Sequence, residues 1–197
     1  MRALTLTLAF TCFACGPTTV APDAGTPAGC RDTSKTPANL LENPGFECDT
    51  MPSEWSAIYG TLELVAGGRS GRAAKLTASA AGGRMAYAKE FAVDSGMKTF
   101  CFSAYISGTA PFMRMRVLRV LNGGVQEVAQ SDQLFGDFRR TPLGTPLKVG
   151  NENAPKLQLV FEVQTNRSDG MNAVPGDTML VDDVDVWESN TSCAETR

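Results

Sequence analysis

The stretch Lys156-Leu157-Gln158-Leu159-Val160-Phe161-Glu162-Val163-Gln164 decides the fold class. Successive side chains of a strand point to opposite faces. Leu157, Leu159, Phe161 and Val163 therefore share one face, against Gln158, Glu162 and Gln164 on the other. A period of two over nine residues is the mark of a half-buried strand. Working outward, the same rhythm recurs. Residues 99–106 bring Phe100, Phe102, Ala104 and Ile106 together, and residues 112–120 set Met113, Met115 and Val117 against Arg114 and Arg116. Residues 178–187 put Leu180, Asp182, Val184 and Val186 in phase, with Asp183, Asp185 and Trp187 opposite. Shorter candidates lie at residues 61–65, 73–78, 85–91 and 124–129.

Turn signals separate nearly all of these runs: Gly67-Gly68, Gly82-Gly83, Asp94-Ser95-Gly96, Asn122-Gly123-Gly124, Asp169-Gly170 and Pro175-Gly176-Asp177. No long amphipathic helix and no internal repeat is evident. Short strands at this spacing predict an all-β domain, an antiparallel β-sandwich.

Composition narrows the chemistry. The chain has 197 residues, with 18 Lys+Arg against 21 Asp+Glu and no histidine. A slightly acidic chain offers no basic footprint for nucleic acid, and Arg139-Arg140 is too brief to make one. Without histidine, a Ser-His-Asp triad, a His-based zinc site and a His general base are excluded. Gly67-Gly68-Arg69-Ser70-Gly71-Arg72 lacks the Gly-Lys-Ser/Thr ending of a phosphate loop and reads as a turn. A glycosidase needs two carboxylates facing each other in a cleft, and no motif groups Glu90, Asp94, Glu127, Asp132, Asp137 and Glu162. An unrecognised hydrolase is the weakest of the functional options.

The first 14 residues carry one positive charge, Arg2, and then an uncharged apolar run. That suits an export signal and is too short to span a bilayer, as is every later stretch. Ala14-Cys15-Gly16 resembles the processing site of bacterial lipoproteins, although Cys12 stands where that family usually has leucine. The resemblance implies removal of residues 1–14, lipidation of Cys15 and anchoring at the bacterial cell envelope, on the outer membrane or cell surface. Ordinary secretion is the alternative. Residues 15–38, rich in Pro, Thr, Ala and Gly, read as a tether, and the globular domain as residues 39–197. Cys30, Cys48, Cys101 and Cys193 then suit two disulfides in an oxidising compartment, with three pairings open.

Asn39-Leu40-Leu41-Glu42-Asn43-Pro44-Gly45-Phe46-Glu47, Trp55 eight residues later and the closing Leu180-Val181-Asp182-Asp183-Val184 resemble the galactose-binding-like β-jelly rolls. The carbohydrate-binding modules of families four and nine are the nearest in pattern. The ends carry the resemblance, the middle matches only in rhythm, and Pro44 replaces a common Gly or Ser. A jelly roll places the first strand beside the last. The resemblance further implies structural Ca²⁺ held by Glu47 and Asp182, with carbonyls near residues 68–70; the alternative is that both carboxylates cap turns through backbone N–H groups. It also implies pairing of Cys30 with Cys193 and of Cys48 with Cys101.

The function implied is non-catalytic glycan binding. A sugar site needs an aromatic surface for the ring and polar groups for the hydroxyls. Trp55, Tyr59, Tyr87 and Tyr105 are the stacking candidates, and Arg114, Arg116, Gln158 and Gln164 the hydrogen-bonding ones. Trp55 also stands where such modules pack their core, and a polar strand face is often only solvated. The competing function is a surface structural or adhesion lipoprotein that meets another protein instead of a glycan.

Overall fold

Among the described residues ten strands form, and every pairing is antiparallel: β1 (Trp55–Tyr59), β2 (Thr61–Ala66), β3 (Arg72–Thr77), β4 (Gly83–Tyr87), β5 (Phe91–Ala92), β6 (Lys98–Leu121), β7 (Gly124–Pro142), β8 (Leu147–Val149), β9 (Lys156–Val163) and β10 (Thr178–Ser189). The computed structural model describes residues 39–41, 43–87, 91–92, 98–121, 124–142, 147–149, 156–189 and 193. The expected signal segment 1–14 and tether 15–38, with Cys15 and Cys30, lie outside the described residues.

The strand order β1-β4-β9-β6-β10-β3-β2 folds into two layers because β6 belongs to both. Its residues 113–120 pair with β9, whereas its residues 99–108 pair with β10. β7 follows β6 along most of its length and edges both layers. The sequence reading expected two separate strands at 99–106 and 112–120; the structure makes them one. The bend between them falls at Gly108, which pairs with Gly136 and carries register shifts on either side. Gly108 has φ +150°, and a Cβ there would stand 2.2 Å from the Thr178 carbonyl oxygen. No other residue fits that approach without moving backbone.

The core lies between the layers. Leu157, Leu159, Phe161 and Val163 of β9 point into it, together with Phe100, Phe102, Ala104, Ile106, Met113, Met115 and Val117 of β6. Trp55 sits inside, 4% exposed, with ring centroids 5.5 Å from Phe46, 5.1 Å from Tyr87 and 5.9 Å from Phe161. Burial of each large apolar side chain contributes about 1.5–3 kcal/mol.

The two ends of the domain meet, but among the described residues of 39–47 no strand forms, where the resemblance implied the first one. Leu40 N–H donates to the Val186 carbonyl at 2.8 Å, and Val184 N–H donates to the Pro44 carbonyl at 2.9 Å. Along this segment Asn43 (φ 45°) and Phe46 (φ 55°) are left-handed, and Pro44 has no N–H to donate. Each departure breaks an extended ladder. Asn39 closes the gap from its side chain. Its Nδ2 donates to Val184 O at 2.8 Å and its Oδ1 accepts from Val186 N–H at 3.1 Å.

The phase of β10 differs from the expectation. Met179 and Val181 point inward, and Asp182 does not share their face. Asp183 (φ 45°) lies in a bulge between Asp182 and Asp185, which flips the alternation so that Val184 and Val186 return to the core. An extra residue in one strand does this wherever it is inserted.

The implied cysteine pairings are also corrected. Cys101 is bonded to Cys193, with Cα atoms 5.5 Å apart. Antiparallel pairing sets Ser189, at the end of β10 and four residues before Cys193, opposite Thr99, two residues before Cys101. Cys193 therefore meets Cys101 rather than Cys30. Cys48 is disulfide-bonded as well, to a cysteine outside the described residues.

Candidate functional site

One transverse row crosses the outer face of the layer that contains β9. Register sets Tyr59 of β1 opposite Arg84 of β4, Arg84 opposite Glu162 of β9, Glu162 opposite Arg114 of β6, and Arg114 opposite Asp132 of β7. Directly paired residues share a face. At about 4.8 Å per strand the row is about 19 Å long. A second row beside it runs through Ser56, Ala86, Val160, Arg116 and Gln130. Its middle, Ala86 and Val160, forms with Leu118 a buried apolar floor separate from the main core.

Glu162 is the hub. Its side chain is 8% exposed, and Arg116 Nη1 lies 3.2 and 3.1 Å from its two oxygens. Gln164 Nε2 donates to Oε1 at 2.9 Å, and Arg114 Nη1 and Arg84 Nε stand at 3.8 and 3.9 Å. Arg114 also donates to Asp132 at 3.0 Å, and Arg116 to Glu127. Burial works against the Arg116 charge, but Glu162 and Glu127 outweigh it and hold its pKa above the ordinary value. Arg84 Nε is buried with no hydrogen-bond acceptor among the described residues.

Past Glu162 the face continues to Phe112, which leaves the core side of β6 together with Arg114. The guanidinium of Arg167 lies 3.4 Å above the Phe112 ring centroid, and that of Arg114 lies 5.3 Å away. Arg167 donates to both oxygens of Asp169 and, at 3.4 Å, to Gln164 Oε1. These hydrogen bonds from Arg167 hold the Asp169 carboxyl below its usual range.

The sequence candidates divide accordingly. Arg114, Arg116 and Gln164 come together around Glu162, and Gln158 lies one register step from Arg116 along the same face. Tyr59 is 51% exposed at the row's end. Trp55 and Tyr87 are buried in the core and offer no ring to a ligand, which corrects their reading as stacking residues. Tyr105 lies on the other layer, its ring covered by Arg69 at 3.8 Å. Arg84 was not singled out from the sequence, although Gly83-Arg84-Met85-Ala86-Tyr87 places it opposite Met85 and Tyr87.

The carboxylates proposed for calcium lie at the turn between β2 and β3. Asp182 Oδ2 accepts from Ser70 N–H at 3.2 Å and its Oδ1 from Asp183 N–H at 2.7 Å, while Glu47 Oε1 accepts from Arg72 N–H at 3.0 Å. Asp183 is held by Arg69 at 2.6 Å. Glycines make room for this cluster. A Cβ at Gly71 would stand 2.5 Å from Glu47 Oε2, and one at Gly68 would stand 2.7 Å from Asp182 Oδ2 and 2.1 Å from the Arg72 carbonyl oxygen. Desolvation, the largest cause, raises the Asp182 pKa, and Ser70 N–H opposes it. The donors are carboxylate and carbonyl oxygens, the set a hard cation such as Ca²⁺ takes. Among the described residues no three His, Cys, Asp or Glu side chains form a metal cluster, so carbonyls would have to complete a shell.

Solved structures share this architecture. The xylan-binding CBM22-2 domain of Paenibacillus barcinonensis Xyn10C aligns with a TM-score of 0.54 at 17% identity, over 74% of this chain and 98% of its own. TmCBM61, solved with β-1,4-galactotriose, aligns at 0.50 and 16% identity, over 77% and 99%. The C-terminal family 22 carbohydrate-binding module of Clostridium thermocellum Xyn10B aligns at 0.50 and 15%, over 77% and 94%. The fold is the β-sandwich of carbohydrate-binding modules. At these identities the likeness is one of fold. No family model matches the sequence, and no curated protein does.

Proposed function

We propose that the protein binds glycan without catalysis, on the outer face that carries the row from Tyr59 to Asp132. The observation that carries this reading is the row itself: an exposed aromatic ring in register with a fan of guanidinium, carboxylate and amide groups on a rigid sheet. Tyr59 would take the apolar face of a pyranose ring. Arg84, Arg114, Arg116, Gln158 and Gln164 would meet the hydroxyls, with Glu162 holding the arginines in place. Preorganised polar groups add orientation without an ordering cost at binding. The fold neighbours named for xylan and β-1,4-galactotriose make xylan and β-1,4-linked galactose oligomers the first ligands to try.

A glycan array followed by titration calorimetry with xylan and β-1,4-galactan tests it. Tyr59→Ala should weaken binding at least tenfold with an unchanged melting temperature, and Arg114→Ala should weaken it as much while lowering stability through its lost partners Glu162 and Asp132. Silence across all polysaccharides overturns the reading.

Two further parts of the reading concern scaffold and address. Calcium bound by Glu47 and Asp182 would neutralise a buried carboxylate whose partners above are backbone amides. Ala14-Cys15-Gly16 supports a lipid anchor at the bacterial cell envelope. Continued membrane association of Cys15→Ser would remove the anchor.

A further inference from the structure

The far end of the glycan face is closed by a side chain rather than open. Phe112 points away from the core yet is only 5% exposed, with the Arg167 guanidinium carbon 3.4 Å above its ring centroid. Nothing in the strand ladder requires that cover. Arg167 sits in the connection between β9 and β10, where Asn172 Oδ1 accepts its N–H at 2.5 Å and Gly170 is left-handed at φ 77°. Asp169, two residues on, supplies the carboxylate that holds the guanidinium on the ring. Asp169 is itself 38% exposed, and ion pairs at that exposure hold weakly. A guanidinium over an aromatic face and a sugar ring on the same face compete for one surface.

We propose that Arg167 is a specificity-determining residue that caps Phe112 and denies a second stacking position to a sugar. The proposal rests on the glycan-binding reading above. The capped ring lies on the row's side of the sheet, two residues before Arg114 in β6, and Tyr59 lies three strands away on β1. With the cap in place, Tyr59 is the open ring of the row among the described residues. With the cap removed the face offers two rings separated by the arginine fan, and takes longer oligosaccharides more tightly.

The test compares wild type, Arg167→Ala, Phe112→Ala and the double variant, by calorimetry with graded xylo-oligosaccharides and β-1,4-galacto-oligosaccharides. Ring-labelled phenylalanine is followed by NMR in parallel. Arg167→Ala should shift the Phe112 ring resonances without ligand. It should also raise affinity for long oligosaccharides about fivefold to tenfold, the size of one ring contact. Phe112→Ala should erase the gain. Weaker binding by Arg167→Ala, a gain that survives in the double variant, or no gain while Tyr59→Ala still weakens binding, each overturns the cap alone. No binding by any of the four proteins overturns the glycan reading and takes this proposal with it.

Discussion

Arg116 reaches both carboxylate oxygens of Glu162 across the β6–β9 ladder, at 3.2 and 3.1 Å, on the outer face of the sheet. Three arginines and one glutamine depend on that carboxylate, which is nearly buried. Removing one partner of a buried pair costs about 3–5 kcal/mol. The arginines keep part of their exposure, so Glu162→Ala should cost about 3 kcal/mol in urea unfolding, the lower end of that range. Glu162→Gln, which keeps the shape and one acceptor, should cost less and still weaken any ligand that uses the fan. Equal stability of Glu162→Ala and wild type would show that the fan does not need its hub.

Asn39 should matter more than its place before the first strand suggests. It makes four hydrogen bonds, to Val184 O, Asp185 Oδ1, Leu41 N–H and Val186 N–H. At about 0.5–1.5 kcal/mol each, Asn39→Ala should cost roughly 2–6 kcal/mol. It should also speed hydrogen exchange at Val186 more than at Met115 in the middle of β6. Exchange unchanged at Val186 would count against the clasp.

Asp182 gives a pH dependence with a definite sign. Its folded pKa is raised above the ordinary carboxylate value by desolvation, so the native state holds its proton more tightly than the unfolded chain. Stability then falls as pH rises from the ordinary carboxylate range through the elevated folded value, and is regained on acidification through that window. Calcium should cancel the trend, since a cation favours the charged form. The measurement is the melting temperature between pH 3.5 and 7, with chelator and with millimolar Ca²⁺. The same curve in both conditions removes calcium; a rising curve with chelator removes the assignment to Asp182.

Cys101 and Cys193 close a loop of 92 residues in sequence separation. By chain entropy a crosslink of that span is worth up to about 4–5 kcal/mol, and measured values run near 2–4. Replacing both by alanine should lower stability within that range. Proteolytic mapping under non-reducing conditions should recover the Cys101 peptide joined to the Cys193 peptide. A Cys30–Cys193 species would contradict the topology at the end of β10.

Much of the fold was legible because strands declare themselves by alternation. Leu157 to Val163, Phe100 to Ile106 and Met113 to Val117 all face the core as their periods require. What alternation cannot carry is the residue that interrupts it. The left-handed Asp183 inserts one position into β10, so Asp182 leaves the phase of Val184 and Val186. Gly108 looks like a break between two strands but is the corner of one. Arg114, Arg116 and Gln164 were readable as one face, since each strand's polar positions are forced outward together. Residue type does not encode which face of β1 and β4 is buried, so Trp55 reads as either a core or a stacking ring and Tyr87 as a stacking ring, and both lie in the core. Glu162 gained its role only when Arg84, Arg114 and Arg116 arrived from two other strands.

The shared strand β6 has a consequence for how the molecule comes apart. Because a single run of backbone serves both layers, neither can melt while leaving the other as a finished sheet. Calorimetric and van't Hoff enthalpies should therefore agree, with no half-molten species on the way. The same arrangement makes assembly slow: residues far apart in sequence, such as Asn39 and Val184, must meet before either layer is complete, and distant pairings set the pace of folding.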